Sequence, residues 1–95
     1  MSATITVAHV GGGEPLRFDV SVREGESETR HRVTLSTADA ARLGRGAPAE
    51  ETIAAAFRFL LDREPKESIL AAFDVSVIAR YFPQFEKEIG AYLSN

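Results

Sequence analysis

The stretch Phe18-Asp19-Val20-Ser21-Val22 recurs letter for letter as Phe73-Asp74-Val75-Ser76-Val77, and the reading of the two copies decides the fold. The first copy follows Leu16-Arg17 and runs into Arg23-Glu24-Gly25, so Leu16, Phe18, Val20 and Val22 alternate with Arg17, Asp19, Ser21 and Arg23. A period of two over that length is the pattern of a strand with one buried face. The second copy follows Ile69-Leu70-Ala71-Ala72 and leads into Ile78-Ala79-Arg80-Tyr81-Phe82. There Asp74 suits the cap of a helix beginning at Val75. Five residues do not fix a conformation, because tertiary context overrides local propensity. The flanks do not match, so the string marks no internal repeat.

Working outward from the first copy, Ile5, Val7 and His9 alternate with Thr4, Thr6 and Ala8, and Val33 and Leu35 continue the parity of His31. Gly11-Gly12-Gly13-Glu14-Pro15 and Glu24-Gly25-Glu26-Ser27-Glu28 supply the turns between these runs. The simplest topology is a three-stranded antiparallel meander over residues 1–36.

Working outward from the second copy, the period becomes helical. Ser36 or Thr37 can cap a short helix, Ala38 to Leu43, that Gly44 ends. Pro48, Glu50 and Glu51 open a longer one carrying Ile53, Ala56, Phe57, Leu60 and Leu61, and Pro65 stops it. Further helical segments are expected over Lys66 to Ala72, with Ile69 and Leu70 inward, over Val75 to Phe82, and over Gln84 to Leu93, the last two divided by Pro83. Ile78, Phe82, Phe85, Ile89, Tyr92 and Leu93 are the expected core contacts. The expectation is therefore an α+β fold, with the N-terminal meander packed against C-terminal helices in a single domain, 1–95. A chain of this length buries roughly 60–65% of its unfolded surface.

Charge and composition narrow the function classes. Eleven Lys and Arg against fourteen Asp and Glu give a net charge of -3, and both halves share the imbalance. That surface has no electrostatic footprint for bulk nucleic acid or an anionic membrane. With no cysteine in the sequence, thiolate nucleophiles, disulfides and Cys-ligated zinc are excluded, which fits a reducing compartment. Met1-Ser2-Ala3-Thr4-Ile5-Thr6 has no basic leader, and the densest apolar run, Ile53 to Leu61, is short and contains Arg58; a cytoplasmic location is expected.

Four constellations are candidates for a site. Ala71-Ala72-Phe73-Asp74-Val75-Ser76 suits the turn of a degenerate helix-turn-helix over residues 66–82, although Arg80 is the sole basic residue between Lys66 and Lys87, where phosphate binding needs several. His9 and His31 fall at opposite ends of the expected meander, roughly 20 Å apart, and so form no metal pair or catalytic dyad. Arg17, Arg23, Arg30 and Arg32 share the outward parity of the sheet and offer guanidiniums to an acidic partner or a phosphate; the plainer reading pairs them with Glu24, Glu26 and Glu28. Phe59 lies off the stripe of Ile53, Phe57 and Leu60, so it meets the C-terminal segments or, with Tyr81 and Phe85, a partner. Gly11-Gly12-Gly13 lacks the GK[ST] ending of a phosphate loop.

The block from Ala56 to Leu70, with its Arg63-Glu64-Pro65-Lys66-Glu67-Ser68 string, and Tyr81-Phe82-Pro83 together resemble a family of short bacterial proteins of unknown function. The resemblance covers residues 33–89 and implies a bacterial, self-standing small protein. It brings no activity, ligand or catalytic residue. These readings together point to a non-enzymatic protein-interaction or regulatory domain, with no cofactor, metal or catalytic residue assigned. Phe59, Tyr81, Phe85, Arg17, Arg30 and Arg32 are the candidate contacts. The expected partner is a protein, with self-association open, nucleic acid disfavoured and no membrane.

Overall fold

The computed structural model describes residues 3–11 and 13–93. The readings that involve Met1, Ser2 and Gly12 lie outside the described residues. The fold is α+β. Strands β1 (Thr4–His9), β2 (Leu16–Glu24) and β3 (Ser27–Leu35) form the antiparallel meander, in a register that sets Val7 opposite Val20 and Val20 opposite His31. Alternation does what the sequence implies. Phe18, Val20, Val22, Val33 and Leu35 are buried, while Arg17, Asp19, Arg23 and Arg32 face solvent. Each buried side chain contributes about 1.5–3 kcal/mol, and a slip of one residue would turn the whole set outward. The β2–β3 loop is Gly25-Glu26, with Gly25 at φ 62. A positive φ at the first loop position is the type II′ geometry that matches strand twist, and glycine adopts it without strain.

Helix α1 spans Thr37–Gly44, and the Ser36 hydroxyl accepts from the Asp39 amide at 3.0 Å. The left-handed position that ends it falls on Arg45, φ 51, rather than on Gly44 as expected. Gly44 has another task, since a Cβ there would lie 2.5 Å from Thr52 Oγ1 of the next helix. Helix α2 spans Ala49–Leu61, with Pro48 as its cap residue. It packs against β1 on one side and against Ile89–Tyr92 on the other. That is why Ala55 and Phe59, outside the predicted stripe, are buried as well. Helix α2 ends at Leu61, four residues before Pro65, where the amides of Arg63 and Glu64 both donate to the Leu60 carbonyl at 2.9 Å.

The segment expected as helix over Lys66 to Ala72 is a correction. Only Lys66–Ser68 makes a single 3-10 turn, and Ala72–Asp74 forms a fourth strand, β4, parallel to β3 and pairing Val33 with Phe73. A seven-residue helix is marginal by itself, and β3 offers this segment better partners. The Arg32 amide donates to the Ala71 carbonyl at 2.7 Å, and His31 Nδ1 lies 2.7 Å from the Leu70 carbonyl. The side of the segment before the strand is held by the buried Lys66 ammonium, which reaches Glu67 at 2.7 Å and Glu24 at 3.2 Å.

Past β4 the chain makes a 3-10 turn over Val75–Val77, helix α3 (Ile78–Tyr81), helix α4 (Phe85–Glu88) and a last 3-10 turn over Ile89–Tyr92. The expected helices over Val75 to Phe82 and Gln84 to Leu93 are thus shared between α-helical and 3-10 turns. Asp74 caps as expected, accepting from the Ser76 amide at 3.0 Å. The first Phe-Asp-Val-Ser-Val is strand throughout, whereas the second is strand at Phe73-Asp74 and turns helical at Val75.

Candidate functional site

Among the described residues, two of the surface hollows bear on the candidate contacts. The wider, roughly 560 Å³, lies across the outer face of the sheet and is bordered by Thr6, Asp19, Ser21, Arg30 and Arg32. Its arginines already face carboxylates. Arg32 Nε lies 3.7 Å from Asp19, Arg30 Nε lies 3.2 Å from Glu28, and the register sets Arg23 opposite Glu28. Arg17 stands opposite Thr34, whose hydroxyl donates to Asp74 at 2.6 Å. The outer face is therefore a mixed-charge surface, and its exposed ion pairs contribute little to stability.

The narrower hollow, roughly 230 Å³, opens between the end of α2, the extended segment before β4, and α3. Leu60, Ile69, Phe73, Ile78 and Phe82 line it, and its rim carries Leu70, 48% exposed, and Tyr81, 68% exposed. Two structural causes put them there. The conversion of 69–74 to extended backbone sends Ile69 inward and Leu70 outward, where a helix would have turned both to the core. Pro83 ends α3 one turn after Ile78, leaving Tyr81 on the solvent side.

Glu64 also borders this hollow. Partial burial pushes its carboxyl above the ordinary glutamate range, and among the described residues no hydrogen bond or ion pair reaches that carboxylate. Its neighbours in sequence are all committed. Arg63 donates to Glu88 at 2.6 Å and to the Phe59 carbonyl at 3.0 Å, and its guanidinium stacks 3.7 Å above the Phe59 ring. Asp62 accepts from the Tyr92 hydroxyl at 2.6 Å.

Asp74, at the end of β4, behaves in the opposite sense. Partial burial pushes its carboxyl up, but hydrogen bonds from the Thr34 hydroxyl and the Ser76 amide outweigh that push and hold it below the ordinary aspartate range.

The sequence-derived candidates separate cleanly. As partner contacts Phe59 and Phe85 are corrected, because both are buried in the core, which is the expectation for Phe85 among the helical segments and the other reading for Phe59. Phe59 meets Phe85, Tyr92 and Phe82 edge-on with ring centroids 5.0, 5.7 and 5.9 Å apart. That resolves its position off the helical stripe in favour of the C-terminal segments. Tyr81 is exposed, as a contact residue must be, and so are Arg17, Arg30 and Arg32 on the opposite side of the sheet.

The helix-turn-helix is also a correction. Residues 66–82 contain two 3-10 turns, a strand and the four-residue helix α3, so within this stretch no supporting helix precedes the turn.

The histidines lie closer than the meander argument implied. His9 faces Phe18 and His31 faces Val20, two positions apart on the strand between them, or roughly 12 Å from strand spacing and rise. They still do not meet. His9 stacks on Phe18, and His31 is buried with Nε2 2.8 Å from the Thr29 hydroxyl. Since a carbonyl only accepts, Nδ1 carries the proton toward Leu70, and in the neutral ring Thr29 then donates to Nε2. His31 thereby fixes the backbone at the rim of the narrower hollow.

Glu64 and Leu70 went unmarked in the sequence. Glu64 reads there as one charge in a charged string, and Leu70 as a helical core residue. No group of three His, Cys, Asp or Glu side chains placed to hold a metal ion occurs among the described residues, and none of their helices is long and apolar enough to cross a membrane. Set against protein-family models, curated proteins and solved structures, the chain matches none.

Proposed function

We propose that the protein is a non-catalytic interaction domain whose binding face is the hollow between α2, β4 and α3. The observation that carries this reading is the juxtaposition of an apolar depression, two exposed apolar side chains at its rim, and a carboxylate without a partner among the described residues. Apolar anchors in a pocket supply most of the free energy of such contacts. A half-buried carboxylate without a partner is costly alone and favourable once paired. The matching ligand is a protein segment that offers one large apolar side chain to the hollow and a lysine or arginine to Glu64. Phosphate and nucleic acid fit poorly, because the charge at the rim is negative.

A catalytic reading starts from the same Glu64, since a carboxyl raised by burial suits general acid chemistry. Ser68 and Tyr81 are the other polar side chains at the hollow, and neither hydrogen-bonds to Glu64, so the cluster has no activated nucleophile. The interaction reading is therefore preferred.

The test uses three full-length variants, each shown to be folded by its melting curve. Tagged protein is recovered from a nuclease-treated lysate of its own host. Glu64→Lys and the double variant L70D/Y81D should lose a stoichiometric protein partner that wild type retains, while the triple variant R17S/R30S/R32S should keep it. Loss with the arginine variant and retention with the other two would move the site to the outer sheet face.

A further inference from the structure

The meander leaves β1 at one edge of the sheet, and the backbone parity of that edge can be worked out. The Val10 amide donates to the Arg17 carbonyl at 2.8 Å, and Val10 continues the register in which Thr4 faces Arg23. Val10 and Arg17 are thus a hydrogen-bonded pair, and by alternation Thr4, Thr6 and Ala8 bond to β2 while Ile5, Val7 and His9 turn their N–H and C=O groups outward. The rest of the sheet agrees, because the same alternation carried through β2 and β3 turns the Arg32 amide toward β4, where it meets Ala71. Among the described residues, nothing takes the outward groups of Ile5, Val7 and His9.

Sheet edges are normally guarded by charged side chains, proline, bulges or short length. Thr4-Ile5-Thr6-Val7-Ala8-His9-Val10 has no Lys, Arg, Asp, Glu or Pro, and its pairing to β2 is unbroken. The opposite edge, β4, is guarded by being three residues long.

We propose that β1 is a self-association edge, along which two copies pair antiparallel about a two-fold axis through Val7 and join their sheets into one. Antiparallel pairing of a strand with itself keeps the inward and outward faces matched only when the facing positions differ by an even number. The Val7 axis meets this condition, setting Val7 opposite Val7, Ile5 opposite His9 and Thr4 opposite Val10, and every outward amide and carbonyl from Ile5 to His9 then finds a partner. The half-buried Ile5 and Val7 gain cover, and Val10, 42% exposed, gains a neighbour.

Charge does not oppose the contact. The nearest rows of ionised side chains, on β2 of each copy, stand three strand spacings apart, about 14 Å, beyond the screening length of about 8 Å at physiological salt. Strand pairing over seven residues buries less than the roughly 800 Å² per partner of a standard interface, so the dimer is weak, with a Kd on the order of 10 µM to 1 mM. This inference is independent of the hollow, which lies at the other edge of the sheet.

Sedimentation equilibrium from 5 µM to 1 mM, with amide exchange at both ends of that range, tests it. Wild type should pass from monomer to dimer, and the amides of Ile5, Val7 and His9 should gain protection with concentration, while those of Thr6 and Ala8 are protected throughout. Thr6→Lys, at an exposed position, should weaken dimerisation at least tenfold without changing the melting curve. Val7→Cys, in a chain with no other cysteine, should crosslink to itself under mild oxidation, because facing Cα atoms about 5.5 Å apart suit a disulfide. A monomer at 1 mM with rapid exchange at Ile5, Val7 and His9 would overturn the proposal. So would a dimer unaffected by Thr6→Lys, which would assign the contact to another surface.

Discussion

Replacing Phe59 by alanine separates the two roles its sequence position allows. Its ring is fully buried, meets three aromatic rings edge-on within 6 Å and lies under the Arg63 guanidinium. Truncating a buried phenylalanine costs about 3–5 kcal/mol, and each lost edge-to-face pair accounts for about 0.5–1.5 kcal/mol beyond area. A domain of this size shifts by about 4–8 °C per kcal/mol, so a loss near 4 kcal/mol lowers Tm by roughly 16–32 °C. With a total stability of about 5–15 kcal/mol, the variant remains measurable but weak. Tyr81→Ser, at an exposed rim position, should stay within about 0.5 kcal/mol, a shift below roughly 4 °C. Far-UV circular dichroism melts and urea titrations of both variants give the comparison. Equal, small shifts would refute the account of α2 and the C-terminal segments as one packed unit.

Other perturbations test separate contacts. Gly44→Ala raises helix propensity by about 1 kcal/mol yet should lower Tm, because the new Cβ collides with Thr52 across the α1–α2 contact; a higher Tm would show that this approach is looser than described. Glu64→Gln removes a carboxyl whose pKa rises on folding. The wild type loses stability as pH climbs above the unfolded glutamate value, so the variant should gain on it from pH 5 upward and match it near pH 3; equal stability at all pH values would show the carboxyl to be fully solvated. Asp74→Ala should cost about 0.5–2 kcal/mol through the lost cap. Because the Asp74 pKa falls on folding, that difference should be present at neutral pH and fade as pH drops through the acidic range; a pH-independent difference would contradict the hydrogen bonds assigned to it.

The parts of the fold legible in the sequence are those where periodicity and burial agree. The β2 alternation, the Ser36 and Asp74 caps and the body of α2 all follow from residues within one turn or one strand. What was illegible depends on partners far away in sequence. Residues 69–72 carry a helical pattern, yet His31 and Arg32, some 40 positions earlier, hold Leu70 and Ala71 in the extended backbone that leads into β4, and that one change exposes Leu70 and shapes the hollow. Phe59 reads as surplus to its helix because its companions lie beyond Pro65 in the case of Phe82, and beyond Pro83 as well in the case of Phe85 and Tyr92. Glu64 carries no sequence signal at all, since a carboxylate is marked as unpaired only when the neighbouring charges are seen to be engaged elsewhere.

We propose that this hollow is the face the protein presents to a partner. Its most direct test is photo-crosslinking in the host, with benzoylphenylalanine placed at Tyr81 in one strain and at Arg17, on the far side of the sheet, in another. A discrete protein adduct should form from position 81 and disappear when Glu64→Lys is added, and none should form from position 17. An adduct from position 17 alone, or one at position 81 indifferent to Glu64→Lys, would contradict it.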